Sequence, residues 1–546
     1  MSLILDRRTL LAAGTFGLGA LATPGAAQLM AARGFTHNVA SGEPGHGKVM
    51  LWTRYVAAQG DTARLRWQVS RTADFARVVA SGDIRAESER DWCVKPIAGG
   101  LEPGTWYYYR FTDRAGRHSP VGRTKTLPNR MSGPTSRFTL GIFSCSNLPF
   151  GWFNAYGHAA ARDDIDLMVH LGDYLYEYER GRYPAADAAV GGRSLEPAKE
   201  IVTLADYRLR YASYRADADL QRLHQRFPMV LMWDDHESAN DSWAGGAENH
   251  QPATEGEWQA RKRAAMRVYR EWLPVSDEPW TQYRIGDLAH LYRPETRLTA
   301  RTEPLDLGRA LAGKSDPAAA LAAFRDGPWR DPARTMLGAQ QEQWLATGLG
   351  RSTGDGVRWQ VLAQQVLMGS LSVSPRTASW ASVGGAPEVQ RRAQIGLAAS
   401  RAGLPFNFDM WDGYPAARDR LLRSALDANA NLLVLSGDSH NAWAFDLDLA
   451  GTPAGVDLGV HSVTSPGYEA YLRQVPPRDL AAALVEHNRQ LKWADTSRRG
   501  YMTLELTPER ATNEWLFLDT VQERSTRIAG RHRMSVVRGT NRLSAI

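Results

Sequence analysis

The stretch SCSNLPFGWFNAYGHAAARDDIDLMVHLGDYLYEY, from Ser144 to Tyr178, constrains the fold of this chain more than any other. It reads as a buried strand ending in a polar loop, then a helix, then a second buried strand ending in a second polar loop. Cys145, Asn147, Asp173 and Tyr176 fall at the two strand ends, and all four can hold a metal ion. Apolar runs of strand length recur at Pro228–Asp235, Arg358–Met368 and Asn431–Asp438, with helical patterns between them at Trp258–Trp272 and Gln340–Leu349. Three such runs, Leu167–Asp173, Pro228–Asp235 and Asn431–Asp438, end in an acidic residue and a fourth, Phe138–Cys145, ends in cysteine. In layered α/β folds the strand ends at one edge of a sheet are where residues far apart in sequence converge.

The text before this region has a different period. Lys48–Tyr55, Ala63–Ser70, Arg77–Asp83, Thr105–Asp113 and Val121–Leu127 are short alternating runs separated by Gly, Pro and Asp, which predicts an antiparallel β-sandwich over 35–128. Leu101–Gly104 before Tyr107 and Tyr109 matches the turn of a tyrosine corner. The polar segment Arg130–Ser136 then serves as a linker into an α/β domain over 137–546.

Residues 1–34 are read as a signal and its connection. Asp6-Arg7-Arg8-Thr9-Leu10-Leu11 opens a twin-arginine signal, Leu10–Ala22 is its apolar region, and Gly25-Ala26-Ala27 offers small residues for cleavage. This predicts passage through the twin-arginine export machinery to the periplasm or beyond. The apolar run is shorter than the roughly 20 residues a membrane span needs, so no transmembrane segment is expected in the mature chain. The two cysteines, Cys93 and Cys145, are expected to be unpaired. A net charge of +6 spread as scattered arginines argues against a dedicated nucleic-acid binder, and a monomer is expected.

Three strings concentrate polar chemistry directly after apolar strands: Gly172-Asp173-Tyr174-Leu175-Tyr176, Trp233-Asp234-Asp235-His236-Glu237-Ser238-Ala239-Asn240-Asp241 and Ser436-Gly437-Asp438-Ser439-His440-Asn441. Together they supply ligands for a mixed, multinuclear metal centre. Taken in order with FTHNVASGEP and VMLWTR (Phe35–Arg54), SCS (Ser144), RTMLGAQQEQWL (Arg334) and DMWDGYP (Asp409), they make the chain resemble the PhoD-like, alkaline phosphatase D family of calcineurin-like metallophosphoesterases. The resemblance implies an α/β fold, a four-layer α-β-β-α sandwich preceded by a small all-β, immunoglobulin- or fibronectin-like domain. It also implies an exported phosphatase or phosphodiesterase that acts by attack of a metal-activated water, without a covalent phospho-enzyme.

Carried over residue by residue, the resemblance makes Cys145, Asp173, Tyr176 and His440 ligands of a ferric ion (Fe3+), with Asp173 bridging to a second site. There Asp235, Asn240 and Asp438 supply oxygen ligands associated with calcium (Ca2+). His236 is read as proton donor to the leaving oxygen or as a hydrogen-bond donor in the transition state. Asp234, Glu237 and Asn441 are read as supports that orient these groups. Expected substrates are small phosphate esters, or phosphodiesters in polymers and lipids, including a phospholipase-D-like activity at the same site. Two rival readings are a Cys145 nucleophile with a histidine base, and a secreted binding protein without turnover. Two departures from the family pattern stand out: Glu43 in Gly42-Glu43-Pro44, in place of aspartate, and Pro294-Glu295-Thr296-Arg297 in place of Leu-Asp-Thr-Arg.

Overall fold

The computed structural model describes residues 24–384 and 387–546. The twin-arginine signal and its apolar region lie outside them. Ala26 and Ala27 begin a short helix, Ala26–Ala31, whose Leu29 is buried in the core beside Tyr207 and Tyr211. Among the described residues no helix is long and apolar enough to cross a membrane.

Two sheets form the centre. The first has eleven strands, and its middle is parallel: Phe138–Phe143, Leu167–His170 and Pro228–Leu231 lie side by side, with Val169 opposite both Ile142 and Val230. The second has seven strands, with Ala289–Arg293, Trp359–Ala363, Leu432–Ser436 and Thr452–Gly459 as its parallel middle. Side chains alternate along each strand. Leu140, Ile142, Val169 and Val230 from the first sheet meet Val361, Ala363, Leu433 and Leu435 from the second in one shared core. The alternate residues Phe143, Met168, Met229 and Leu231 face helices that include Leu204–Arg215 and Trp258–Trp272. Leu362, Leu432 and Val434 face Ala339–Gly354 and Pro415–Asp427 on the far side. These are the four layers α-β-β-α. Because both faces of the central strands are buried, they appear in sequence as unbroken apolar runs.

The N-terminal segment packs a four-stranded antiparallel sheet, from Thr62–Ser70 to Gly122–Lys125, against Gly34–Gly42 and Lys48–Val56. The Tyr107 hydroxyl accepts a hydrogen bond from the Glu102 backbone at 2.8 Å, closing the corner read from the sequence. Tyr109 does not share that role; its hydroxyl is buried without a protein partner. The strand Gly34–Gly42 also pairs in parallel with Pro228–Leu231, Ser41 opposite Pro228, so the first sheet runs without a break from the all-β segment into the α/β segment. At the junction a side chain on Gly42 would sit 2.3 Å from the Pro274 carbonyl oxygen, which only glycine avoids. Glu43 accepts from the backbone and hydroxyl of Ser276 at 2.9 and 3.0 Å. Its acidic group thus docks the two segments together.

The arginine-rich stretch after Arg524 forms the strand Ile528–Val537, next to the short edge strand Leu543–Ala545, and in it Arg531 and Arg533 pair with Glu514. Both cysteines are free and buried.

Candidate active site

The loops that follow four central strands bring the polar groups together. Phe138–Phe143 leads to Cys145, Leu167–His170 to Asp173 and Tyr176, Pro228–Leu231 to Asp235 and His236, and Leu432–Ser436 to Asp438 and His440. Cys145, Asp173, Asp438 and His440 take φ values of 60°, 53°, 61° and 64°. A side chain in this left-handed region costs about 1–3 kcal/mol, and such strain gathers where the fold must aim a group. The donor atoms of Cys145, Asp173 and His440 lie within 4.8 Å of one another, as do those of Asp173, Asp235 and His236, and those of Asp234, Asp235 and Asp438. Asp173 belongs to the first two groups and Asp235 to the last two, so the three form one continuous cluster.

Around Asp173 the arrangement suits a cation. Its Oδ1 is buried without a partner, while its Oδ2 accepts from the Tyr176 hydroxyl at 3.0 Å. The Tyr176 oxygen also lies 3.3 Å from His440 Nε2 and 2.7 Å from Ser465 Oγ. His440 Nδ1 sits 2.8 Å from the Pro466 carbonyl, which must accept its proton and leaves the Nε2 lone pair facing the cluster. Burial holds that imidazole neutral, its pKa lowered to about 4. Burial, and then the charge of Asp173, push both the Cys145 thiol and the Tyr176 phenol well above their ordinary ranges. Burial likewise pushes the Asp173 carboxyl up. Groups that resist negative charge together, yet are held in contact, form a site that a cation completes.

The second part of the cluster is organised by Arg297, which is wholly buried. Its guanidinium reaches Asp234 at 2.5 Å, Asp409 at 2.7 Å and Asp438 at 3.0 Å. Burial pushes the Asp438 carboxyl up to about 7 despite this contact. Asp234 Oδ2 is left without a partner. Asp235 accepts backbone protons from His236 at 2.9 Å and Asp241 at 2.7 Å, which fixes its loop. Asn240 lines the cleft with its amide nitrogen 3.1 Å from Glu248. Glu237 accepts from the backbone of Asp234 at 2.7 Å and of Tyr174 at 2.6 Å, tying two of the loops together. Asn441 spans from the Ser439 carbonyl to the Tyr468 amide beside His440.

His236 Nδ1 lies 2.7 Å from Glu177 Oε2, and the ring borders a cleft of about 510 Å³ that also exposes Asp173, Asp235, Asp438 and His440. Burial works against a charge on this ring, but Asp235 and then Glu177 outweigh it and hold the pKa well above 6.5. The other Glu177 oxygen accepts from the Asn240 backbone and Asn249 Nδ2, both at 2.8 Å. Among the described residues none after Tyr471 borders the cleft, so the C-terminal strands Ile528–Val537 and Leu543–Ala545 do not cover it.

This geometry coincides with a family match. The sequence model of PhoD-like phosphatase matches residues 140–515, and that of the PhoD-like phosphatase N-terminal domain matches 20–128. The chain belongs to the PhoD-like phosphatase family. It is 31% identical over 520 residues to alkaline phosphatase D of Bacillus subtilis (strain 168), covering 91% of this chain and 80% of that protein. The solved structure of PhoD superposes with a TM-score of 0.76 at 28% identity, covering 94% of this chain and 92% of the other.

Membership in the PhoD-like phosphatases makes a phosphate ester the group to fit into the cleft. It also sharpens what reading the sequence missed. Glu177 lies inside the stretch Ser144–Tyr178 and Arg297 inside the departure at Pro294, yet the sequence by itself gives neither a role. Glu295, whose role the sequence left open, builds the loop that presents Arg297. Its Oε1 accepts from Trp233 Nε1 at 2.8 Å and from the Arg297 and Leu298 backbone, both at 2.7 Å, and its Oε2 accepts from the Thr299 backbone at 2.8 Å. A carboxylate at that position is the signal that could have pointed to Arg297.

Proposed function

We propose that the chain is an exported, metal-dependent phosphoric ester hydrolase acting on monoesters or diesters in this cleft. The observation that carries the reading is the buried, unpartnered Asp173 Oδ1 at the meeting point of a thiol, a phenol, an imidazole and further carboxylates. Cys145, Asp173, Tyr176 and His440 would hold a ferric ion, and Asp173, Asp235, Asn240 and Asp438 a calcium ion. When bound, such ions supply Lewis-acid polarisation of the ester and a water ionised near neutral pH. The protein's own part is geometric and acid–base. Glu177 fixes Nδ1 of His236, leaving Nε2 to give a proton to the departing oxygen. Arg297 holds Asp234 and Asp438 in place, and Glu237 locks the loops that carry Asp173 and Asp235. The twin-arginine signal read at Arg7-Arg8 assigns the work to the periplasm or the exterior.

A cysteine nucleophile fits less well. Cys145 is fully buried, is absent from the residues bordering the cleft, and has its thiol pushed up, all of which oppose thiolate attack. The two readings separate by treatment of the folded enzyme. Prolonged chelation is expected to abolish hydrolysis of an aryl phosphate, with recovery on adding iron and calcium, whereas iodoacetamide leaves the native enzyme active. Activity that survives metal removal but not alkylation would reverse the assignment.

A further inference from the structure

The acidic and imidazole groups of the cleft are accounted for by the reading above; two cations on its walls are not. Arg182 lies in the loop that follows Tyr176, and Arg392 lies on the helix Pro387–Arg401. They border one cleft from the two halves of the fold, since the first follows a strand of the first sheet and the second is inserted after Trp359–Ala363 of the second. Arg182 is exposed and, among the described residues, makes no ion pair. Arg392 is 75% exposed and pairs with Glu388, one helical turn away, at 2.9 Å. Glu388 is already engaged by two nitrogens of Arg391, at 3.0 and 2.9 Å. An exposed pair of this kind contributes little, so the Arg392 guanidinium is free to exchange it for another anion. The helix itself is seated: one to two turns beyond Arg392, Ile395, Ala398 and Ala399 join a core with Leu321, Phe324 and Phe408.

On the proposed reading the phosphate that reacts lies over Asp173, Asp235 and Asp438, which would hold the cations that offset its charge. Among the described residues neither Arg182 nor Arg392 forms an ion pair with those three carboxylates, although both border the same cleft, and their planar forks match a phosphate or carboxylate with two parallel hydrogen bonds. The geometry points to Arg182 and Arg392 as specificity-determining residues that bind a second, uncleaved phosphate on a substrate carrying more than one. This inference rests on the proposed hydrolase function. Binding energy from such a remote group raises kcat/KM for substrates that possess it.

The test compares phosphate release from adenosine 5′-phosphate and adenosine 3′,5′-bisphosphate by the metal-loaded enzyme. The wild type is expected to prefer the bisphosphate by about 5- to 20-fold in kcat/KM, the scale of one or two charge-assisted hydrogen bonds at an exposed site. The preference should fall as salt screens the contact. In the Arg182→Gln/Arg392→Gln double variant it should fall to within about twofold of unity, while Arg391→Gln, which alters the same helix without touching the cleft, keeps it. A wild type without preference, or a double variant that retains it, overturns the inference. Failure to release phosphate from either compound would instead overturn the hydrolase reading, and this inference with it.

Discussion

Arg297→Met is expected to destabilise the metal-free protein by about 3–5 kcal/mol, the loss typical when one partner of a buried ion-pair network is removed. Arg297 is the shared partner of Asp234, Asp409 and Asp438; Asp234 and Asp409 are buried and cannot turn to water in its place, while Asp438 meets the cleft with 18% of its side chain exposed. Arg301 supports Asp409 from the other side but does not reach Asp234 or Asp438. Methionine fills a similar volume, so the loss reports charge rather than a cavity. Arg297→Lys, which keeps the charge but not the fork that spans three carboxylates, should fall between the two. Urea unfolding of chelator-treated wild type and variants measures this. A Met variant within 1 kcal/mol of wild type would show that the acids are protonated or solvated in the absence of metal, and that Arg297 does not organise them.

The second large effect concerns His236. His236→Ala is expected to lower kcat by about 10²–10⁴-fold on an alkyl phosphate, whose leaving oxygen needs a proton, with unchanged metal content. The loss should be smaller on a nitrophenyl phosphate, whose leaving group departs without one. The sign of the pH effect follows from the raised pKa. The imidazolium is lost as pH rises through that pKa, so the alkaline limb of the wild-type rate profile should disappear in the variant. Glu177→Gln removes the partner of Nδ1 and should move that limb to lower pH. Equal losses on both substrates, with the alkaline limb intact, would make His236 a structural residue of its loop.

The loops that carry the polar cluster are legible in the sequence because each follows a strand buried on both faces, and the change from an unbroken apolar run to a polar string is abrupt. It also located the helix Trp258–Trp272 to its terminal residues and the strands of the all-β segment to within a few positions. The apolar run Arg358–Met368 overreaches its strand, which stops at Ala363, with Gln364 and Gln365 beginning the loop. Tertiary relations were less visible. Nothing local in Gly34–Gly42 announces a parallel partner nearly two hundred residues later. Glu177 and Arg297 lie inside strings that stand out, but nothing local gives their roles, because what defines them is the distant group each one touches. Glu295, read as a departure, keeps the chemistry of a carboxylate that accepts backbone protons, and the longer side chain is accommodated by the loop itself.

The central claim is that Asp173 joins two metal sites on which hydrolysis depends. The most direct measurement is elemental analysis of the purified, folded protein and of Asp173→Ala, paired with rates on one phosphate monoester and one diester. The account predicts iron and calcium in the wild type, loss of both metals in the variant, and a fall in rate to background on both substrates. A wild type that hydrolyses either ester while holding neither metal, or an Asp173→Ala variant that keeps its metals and its rate, would contradict it.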